Sequence, residues 1–257
     1  MQVVIFVGGR GTRMGGRERP TPKALHELGG RPILWHVMEL YKAAGHRDLV
    51  LTLGYQGAEI VRYFGERPLY LDDDVLVQID GEERKVSYLS GRPGSLNIKL
   101  VHTGLETGKG ERLRRVSDCL EGDTFFATYG DGLADIDLRA LLEFHRSHGK
   151  VATLTAVRAR SQFGHVTLGE GGAIVQMDEK PALPGWINGG FFVFERRIFD
   201  YLQAGDELEP DCFPRLVADG QLVAFTHEGF WACMDTDKDY AALDALCRTA
   251  RPPWQTW

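Results

Sequence analysis

Two aspartates, a glycine-rich turn and a pair of cations carry the chemistry this sequence can offer. Asp131 stands in Tyr129-Gly130-Asp131-Gly132, directly after the apolar run Thr124 to Thr128, and Asp235 stands in Trp231-Ala232-Cys233-Met234-Asp235-Thr236. Read singly, the first is a turn residue and the second a helix N-cap, since aspartate suits both. Read together, they are a carboxylate pair of the kind that Mg²⁺ takes along with phosphate oxygens and water. Far upstream, Gly8-Gly9-Arg10-Gly11-Thr12-Arg13 follows the apolar run Val3 to Val7, and Pro22-Lys23 comes soon after. Glycines at a strand-to-helix turn let backbone N–H groups approach a phosphate closely. The planar fork of Arg13 and the compact charge of Lys23 would offset much of a triphosphate's charge. Either cation alone also reads as a surface residue; their order after the turn favours the phosphate. No Lys-Ser or Lys-Thr completes a P-loop, and a dinucleotide fingerprint counted from Gly9 ends on Met14, so the turn is of a third kind.

These residues need elements to position them. Val3 to Val7 reads as a buried strand. Pro32 to Ala44 has apolar residues at helical spacing and proline at its first turn. Asp48 to Leu53 is a strand, Ala58 to Phe64 a helix, Asn97 to His102 a strand, Arg112 to Leu120 an amphipathic helix, and Thr124 to Thr128 a buried strand. Asp137 to His148 is a helix and Val151 to Val157 a strand. This alternation predicts an α/β fold with a doubly wound, mainly parallel, Rossmann-like sheet. Asp131 then falls at the carboxyl end of a parallel strand, where open α/β sheets bind ligands. Beyond Val157 the pattern changes. His165 to Leu168, Ala173 to Met177 and Ile187 to Phe194 read as shorter strands of a small antiparallel element packed on the sheet, and Asp237 to Arg248 as a closing helix. Gly65 to Gly94 is polar and reads as an irregular insertion, a candidate hairpin at an oligomer contact. With no repeat and no linker, residues 1–257 read as a single domain.

Composition narrows the function. The 257 residues are 43% hydrophobic, enough for a substantial core. A net charge of −6 argues against nucleic acid as a partner, since that binding runs on Lys and Arg neutralising phosphates. No apolar run approaches the length of a membrane span, and the short MQVVIFVGG start lacks the basic n-region of a signal peptide, so a cytoplasmic location is expected. The four cysteines form no CxxC pair and read as reduced structural thiols. His145 and His148 lie three apart on a helix without an evident third ligand and read as a solvated face; Trp35 and Phe144 read as core.

The strand–GGRGTR–PTPK opening resembles the N-terminal pattern of the sugar-1-phosphate nucleotidyltransferases. GGRPILWHVMELY, YGDG, the FG of Phe163-Gly164, EKP, NGGFFVF, GFWACMDT and the closing PPWQTW resemble its glucose-1-phosphate cytidylyltransferase branch, in the same order over nearly the whole chain. The resemblance implies a nucleotide-diphospho-sugar transferase type of fold, an enzyme that couples CTP to a sugar-1-phosphate, α-D-glucose 1-phosphate first, and a homo-oligomer. It implies that Asp131 and Asp235 hold Mg²⁺. It places the nucleotide on Gly8, Gly9, Gly11, Thr12, Arg13, Lys23, Thr103, Gly104, Glu111, Arg112, Tyr129 and Gly130. It places the sugar phosphate on Gly164, Glu179, Lys180, Asn188 and Gly189, with Arg13, Lys23, Asp131, Lys180 and Asp235 serving catalysis.

Two departures bear on specificity. The branch's TGGR loop reads Lys109-Gly110-Glu111-Arg112 here, so Glu111 either accepts from a base amine or faces water. Gly15-Gly16-Arg17-Glu18-Arg19 also departs from the branch. UTP or dTTP, or another phosphorylated acceptor, is the alternative. A nicotinamide oxidoreductase and a silent nucleotide-sugar sensor are the rival classes; the failed fingerprint argues against the first and the presence of both aspartates against the second.

Overall fold

The computed structural model describes residues 1–9, 21–66, 75–80, 83–88, 96–159, 161 and 163–257. In chain order it contains β1 (Gln2–Phe6), a short hairpin of β2 (Glu27–Leu28) and β3 (Arg31–Pro32), α1 (Ile33–Ala43), β4 (Asp48–Leu53), α2 (Gly57–Glu66), β5 (Val75–Asp80), β6 (Glu83–Tyr88), β7 (Asn97–His102) and α3 (Lys109–Arg115). There follow β8 (Thr124–Tyr129), β9 (Gly132–Ala134), α4 (Leu138–His148), β10 (Ala152–Val157), β11 (His165–Leu168), β12 (Ile174–Asp178), β13 (Ile187–Glu195), α5 (Phe213–Ala218), β14 (Leu222–His227), β15 (Trp231–Cys233) and α6 (Asp237–Cys247).

Seven strands form the central sheet in the order β14-β10-β13-β8-β1-β4-β7. β1 is fully buried and pairs parallel to both β4 and β8. The chain first winds outward from β1 through β4 to β7 and then returns to β1's other side with β8. That reversal makes the carboxyl ends of β1 and β8 a switch point, where such sheets leave a crevice for ligands. The core lies on both faces. One cluster gathers Leu34, Val37, Met38 and Tyr41 of α1 against β1 and β4, and the other gathers Leu113, Phe125, Phe192 and Phe194.

Two expectations about the second half change. Ile187–Glu195 is no short strand of a satellite element: β13 runs nine residues inside the main sheet, antiparallel to both β8 and β10. Its alternating apolar side chains are buried on both faces, as a central position requires. Of the three segments expected in the satellite element, only β11 and β12 pair outside the main sheet, as an antiparallel hairpin. Within the insertion expected at Gly65–Gly94, β5 and β6 form an antiparallel hairpin.

The amphipathic segment expected at Arg112–Leu120 also shifts. α3 begins at Lys109, and after Arg115 the chain makes a 3-10 turn, Ser117–Cys119. Its first turn is supplied with acceptors from far along the chain: Glu207 Oε2 takes the Lys109 N–H at 3.0 Å and the Asp206 carbonyl takes the Glu111 N–H at 2.8 Å. A helix N-terminus leaves such donors open, and partners this remote in sequence cannot be read locally.

His145 and His148 do not form a solvated face. His145 is 1% exposed. The Lys150 N–H donates to His148 Nδ1, so His148 Nε2 carries the proton and donates to Thr153 Oγ1 at 2.8 Å. The Thr153 hydroxyl then donates to His145 Nδ1 at 2.8 Å, and His145 Nε2–H is left to donate to Glu195 at 3.0 Å. The chain ties α4 to β10 and β13 with every ring nitrogen satisfied. Trp35 and Phe144 are half-buried rather than core, and the Arg31 guanidinium lies 5.5 Å from the Trp35 ring centre.

Candidate active site

β9 and β15 decide the site. They pair antiparallel with Gly132 opposite Cys233, and the Met234 N–H donates to the Asp131 carbonyl at 3.0 Å. This short ladder brings Asp235 beside Asp131 from the other end of the chain. Asp235 is not the helix cap that its position suggests. Thr236 caps α6, its hydroxyl accepting from the Asp239 N–H while the Asp239 carboxylate accepts from the Thr236 N–H. Asp235 is thereby held just outside the helix, its side chain not serving as the cap.

Lys23 lies between the two carboxylates, its Nζ 2.6 Å from Asp131 Oδ2 and 2.7 Å from Asp235 Oδ1. Burial alone would lower the Lys23 pKa, but pairing with Asp131 and hydrogen bonds to Asp131 and Asp235 outweigh it and raise it. The ammonium marks where a positive charge belongs. Oxygens of Asp131 and Asp235 and the Cys233 sulfur lie within 4.8 Å of one another. Two carboxylates suit a hard ion such as Mg²⁺. Burial, with the neighbouring Asp131 and Asp235, pushes the Cys233 thiol up, so it stays protonated and adds no oxygen donor. The donor set therefore fits Mg²⁺ through the two aspartates.

The turn after β1 opens onto the same place. A cleft of about 340 Å³ is lined by Gly8, Gly9, Lys23, Arg112, Tyr129, Asp131 and Asp235, and also by Thr107, Lys109 and Glu207. Gly130 must be glycine: its N–H donates to the Phe6 carbonyl at 3.1 Å, and a Cβ there would lie 2.8 Å from Val7 Cγ1. A Cβ at Gly8 would meet the Arg112 guanidinium. Arg112 is 3% exposed and donates to the carbonyls of Gly8 and Leu53 at 3.0 Å, to that of Gly104 at 2.9 Å, and to Thr103 Oγ1 at 2.7 Å. Thr103 and Gly104 thus take part through Arg112, which holds the back of the glycine turn. Gly11, Thr12 and Arg13 fall outside the described residues.

Glu111 does not face water. It is 4% exposed and accepts from Arg114 at 2.6 Å, Arg115 at 2.7 Å and the Gly205 N–H at 3.2 Å. Hydrogen bonds from Arg114, then from Arg115 and Gly205, outweigh burial and hold its carboxyl at about 2. It fastens α3 to the loop before α5. The neighbouring Lys109 is the one that reaches the cleft, with Nζ 2.6 Å from Glu209 Oε1 and 4.7 Å from the Tyr129 ring centre. Sequence reasoning passed over Lys109, Glu207 and Glu209; the only local signal was a lysine opening the segment that departs from TGGR.

Asn188 Nδ2 donates to the Tyr129 hydroxyl at 2.9 Å, and that hydroxyl donates to Glu209. The Gly189 carbonyl accepts from Trp231 Nε1 at 2.8 Å. Gly164, Glu179 and Lys180 do not line the cleft. They sit at the root of the β11–β12 hairpin, where a Cβ at Gly164 would lie 3.1 Å from Glu179 Oε2. The Lys180 side chain is 49% exposed and its backbone has φ 49°, an uncommon conformation outside glycine.

A glycine turn and two convergent aspartates stand at the switch point of an open α/β sheet, the place where enzymes of this architecture bind their ligands. The chain belongs to the nucleotidyl transferase family, whose profile matches residues 2–247, and it is a nucleotidyltransferase. It is 38% identical over 260 residues to the glucose-1-phosphate cytidylyltransferase of Salmonella typhi, with all of both chains covered. It is 36% identical over 259 residues to the probable glucose-1-phosphate cytidylyltransferase of Bacillus subtilis, again with full coverage. Among solved structures, a putative glucose-1-phosphate thymidylyltransferase from Bacillus anthracis shares the fold, with a TM-score of 0.70 at 18% identity over 97% of this chain and 96% of that one. Among the described residues no helix is long and apolar enough to cross a membrane.

Proposed function

We propose that the chain couples CTP to a sugar-1-phosphate, α-D-glucose 1-phosphate first, giving a CDP-sugar and pyrophosphate. The observation that carries this reading is the meeting of Asp131 and Asp235 on one positive charge at the mouth of the glycine turn. The base and the sugar rest on the full-length likeness to glucose-1-phosphate cytidylyltransferases.

The reaction needs alignment and charge stabilisation more than acid–base help. The backbone at Gly8 and Gly9 cradles the triphosphate, with Arg112 fixing the turn from behind. Arg13 neutralises the β- and γ-phosphates. Lys23 offers its ammonium to the α-phosphate. Lys180 holds the sugar phosphate, and Glu179, Asn188 and Gly189 meet the sugar. An oxygen of the sugar phosphate forms a bond to the α-phosphorus, the α–β bridging bond breaks, and pyrophosphate leaves with the electron pair. That oxygen is already anionic, so no side chain has to remove a proton. Mg²⁺, held by Asp131 and Asp235, would supply charge neutralisation at the α-phosphate and orientation of the attacking oxygen.

The test is a pyrophosphate-release panel crossing the four ribonucleoside triphosphates and dTTP with a set of sugar-1-phosphates, with and without Mg²⁺. The expected result is Mg²⁺-dependent release with CTP and glucose 1-phosphate ahead of the rest. A preference for UTP or dTTP, or for an acceptor that is not a sugar-1-phosphate, would overturn the assignment of base or acceptor.

A further inference from the structure

Among the described residues, the cations that line the cleft are Lys23, Arg112 and Lys109. The first two are committed. Lys23 is shared between Asp131 and Asp235. Arg112 is buried and directs its donors to the carbonyls of Gly8, Leu53, Gly104 and Leu105 and to the Thr103 hydroxyl. Lys109, which opens the segment that departs from TGGR, is held differently. Its ammonium lies 2.6 Å from Glu209 Oε1 and 4.7 Å from the Tyr129 ring centre, with 37% of its side chain exposed. Glu209 does not depend on it. That carboxylate also accepts from the Tyr129 hydroxyl and is 31% exposed. Burial, and then Glu209 itself, raise the Tyr129 pKa, so the phenol keeps the proton it donates. An ion pair this open to water is weak, and the ring face attracts the ammonium whatever anion accompanies it. Lys109 can therefore leave Glu209 for a stronger acceptor without stranding either group.

We propose that Lys109 is a phosphate-binding residue of the cleft, exchanging Glu209 for a phosphate group of a bound substrate. The inference rests on the reading of the cleft as the place where a nucleoside triphosphate and a sugar phosphate meet, and adds a residue to it. Asp131 and Asp235 cancel most of the charge that Lys23 and a divalent ion bring, so a further cation has phosphate charge left to meet. An ammonium on a phosphate oxygen makes a charge-assisted hydrogen bond, stronger than its contact with a solvated carboxylate. Lys109 stands between the two substrate sides. It begins α3, whose Arg112 fixes Gly8 of the glycine turn. It also lies on Tyr129, whose hydroxyl accepts from Asn188, a residue expected to meet the sugar. The phosphate is therefore one of the triphosphate or that of the sugar, and the two are separable by titration.

Titration calorimetry tests it on the wild type, Lys109→Met, Glu209→Gln and the double variant, each checked for folding by circular dichroism. One arm adds CTP with Mg²⁺. The other adds glucose 1-phosphate to chain saturated with α,β-methylene CTP, which cannot release pyrophosphate. Lys109→Met is expected to weaken the ligand that supplies the phosphate by about 10- to 100-fold, the effect of losing one charge-assisted hydrogen bond. A loss in the first arm assigns a triphosphate oxygen, and a loss in the second the sugar phosphate. Glu209→Gln removes the competing anion and keeps an acceptor for Tyr129. It is expected to tighten the same ligand about two- to fivefold, and to have no effect in the Lys109→Met background, where nothing is left to release. Unchanged affinities in Lys109→Met, losses in both single variants, or tightening that persists in the double variant would overturn the proposal. So would an equal loss for cytidine and CTP, which would make Lys109 a contact of the nucleoside. A wild type that binds neither CTP nor glucose 1-phosphate would overturn the reading of the cleft and this inference with it, before any substitution is made.

Discussion

Lys23 has two roles to reconcile. Between Asp131 and Asp235 it offsets one of two negative charges, with N–O separations of 2.6 and 2.7 Å, and beside a bound triphosphate its ammonium would serve the α-phosphate. Its raised pKa keeps it charged between the two carboxylates. Lys180 differs in kind. It is half-exposed, and the nearest Glu179 oxygen is 3.5 Å away, so little holds it in place before a ligand arrives. Removing it should therefore harm binding more than turnover. Lys180→Ala is expected to raise KM for the sugar phosphate by about 10- to 100-fold, the worth of one charge-assisted hydrogen bond, while KM for CTP stays within a few-fold. Steady-state kinetics with each substrate varied in turn checks this. Equal losses for both substrates would remove Lys180 from the sugar-phosphate side.

At the scale of elements, the glycine turn is only as well placed as α3 allows. From α3, Arg112 donates to five acceptors on three separate segments. Arg112→Ala would take the donor from the Gly104 and Leu105 carbonyls, while those of Gly8 and Leu53 keep the N–H groups of Tyr55 and Thr103; at about 1–3 kcal/mol for an unsatisfied group, a loss of about 1–3 kcal/mol in unfolding free energy is expected, measured by urea denaturation. β1, α1, β4, α2, β7, β8, α4 and β10 were legible because parallel strands and amphipathic helices carry strong periodic patterns, whereas the two-residue strands β2 and β3 and the short β9 carry none. β13 was not, since a short apolar run flanked by glycines looks the same in a satellite hairpin and in the centre of a sheet. The ends of α3 were hidden because their capping partners, Asp206 and Glu207, come from the far side of the chain. The burial of Glu111 was hidden for a similar reason: its partners Arg114 and Arg115 were in plain view, but nothing local said that the carboxylate would be buried against Gly205 beneath two exposed arginines.

Across the whole molecule, buried histidines link several layers. His36 accepts from Trp254 of the closing segment through Nδ1 and donates to the Leu28 carbonyl through Nε2. His145 joins α4 to two strands. Burial is the leading cause that lowers His36 and His145 below 6.5 and pushes His46 down to about 4. The unfolded chain takes up protons near the ordinary histidine value and the folded chain resists them, so the unfolded state gains on acidification. Stability should be full above about 6.5 and fall progressively as the pH drops toward 4; urea midpoints measured across that window check it, and a flat profile would contradict it. The largest-scale feature is the one the chemistry uses. β1, β8 and the β9–β15 ladder carry a glycine turn and two distant aspartates to the same crevice. Both aspartates were legible as candidates, whereas the short ladder that brings them together was not. The most direct measurement is the turnover of Asp131→Asn, folded by circular dichroism, with saturating CTP, glucose 1-phosphate and Mg²⁺. A fall of at least about 100-fold is expected, as for removal of a group that stabilises transition-state charge. A rate near that of the wild type would contradict the claim that Asp131 and Asp235 together hold the ion on which the transfer depends.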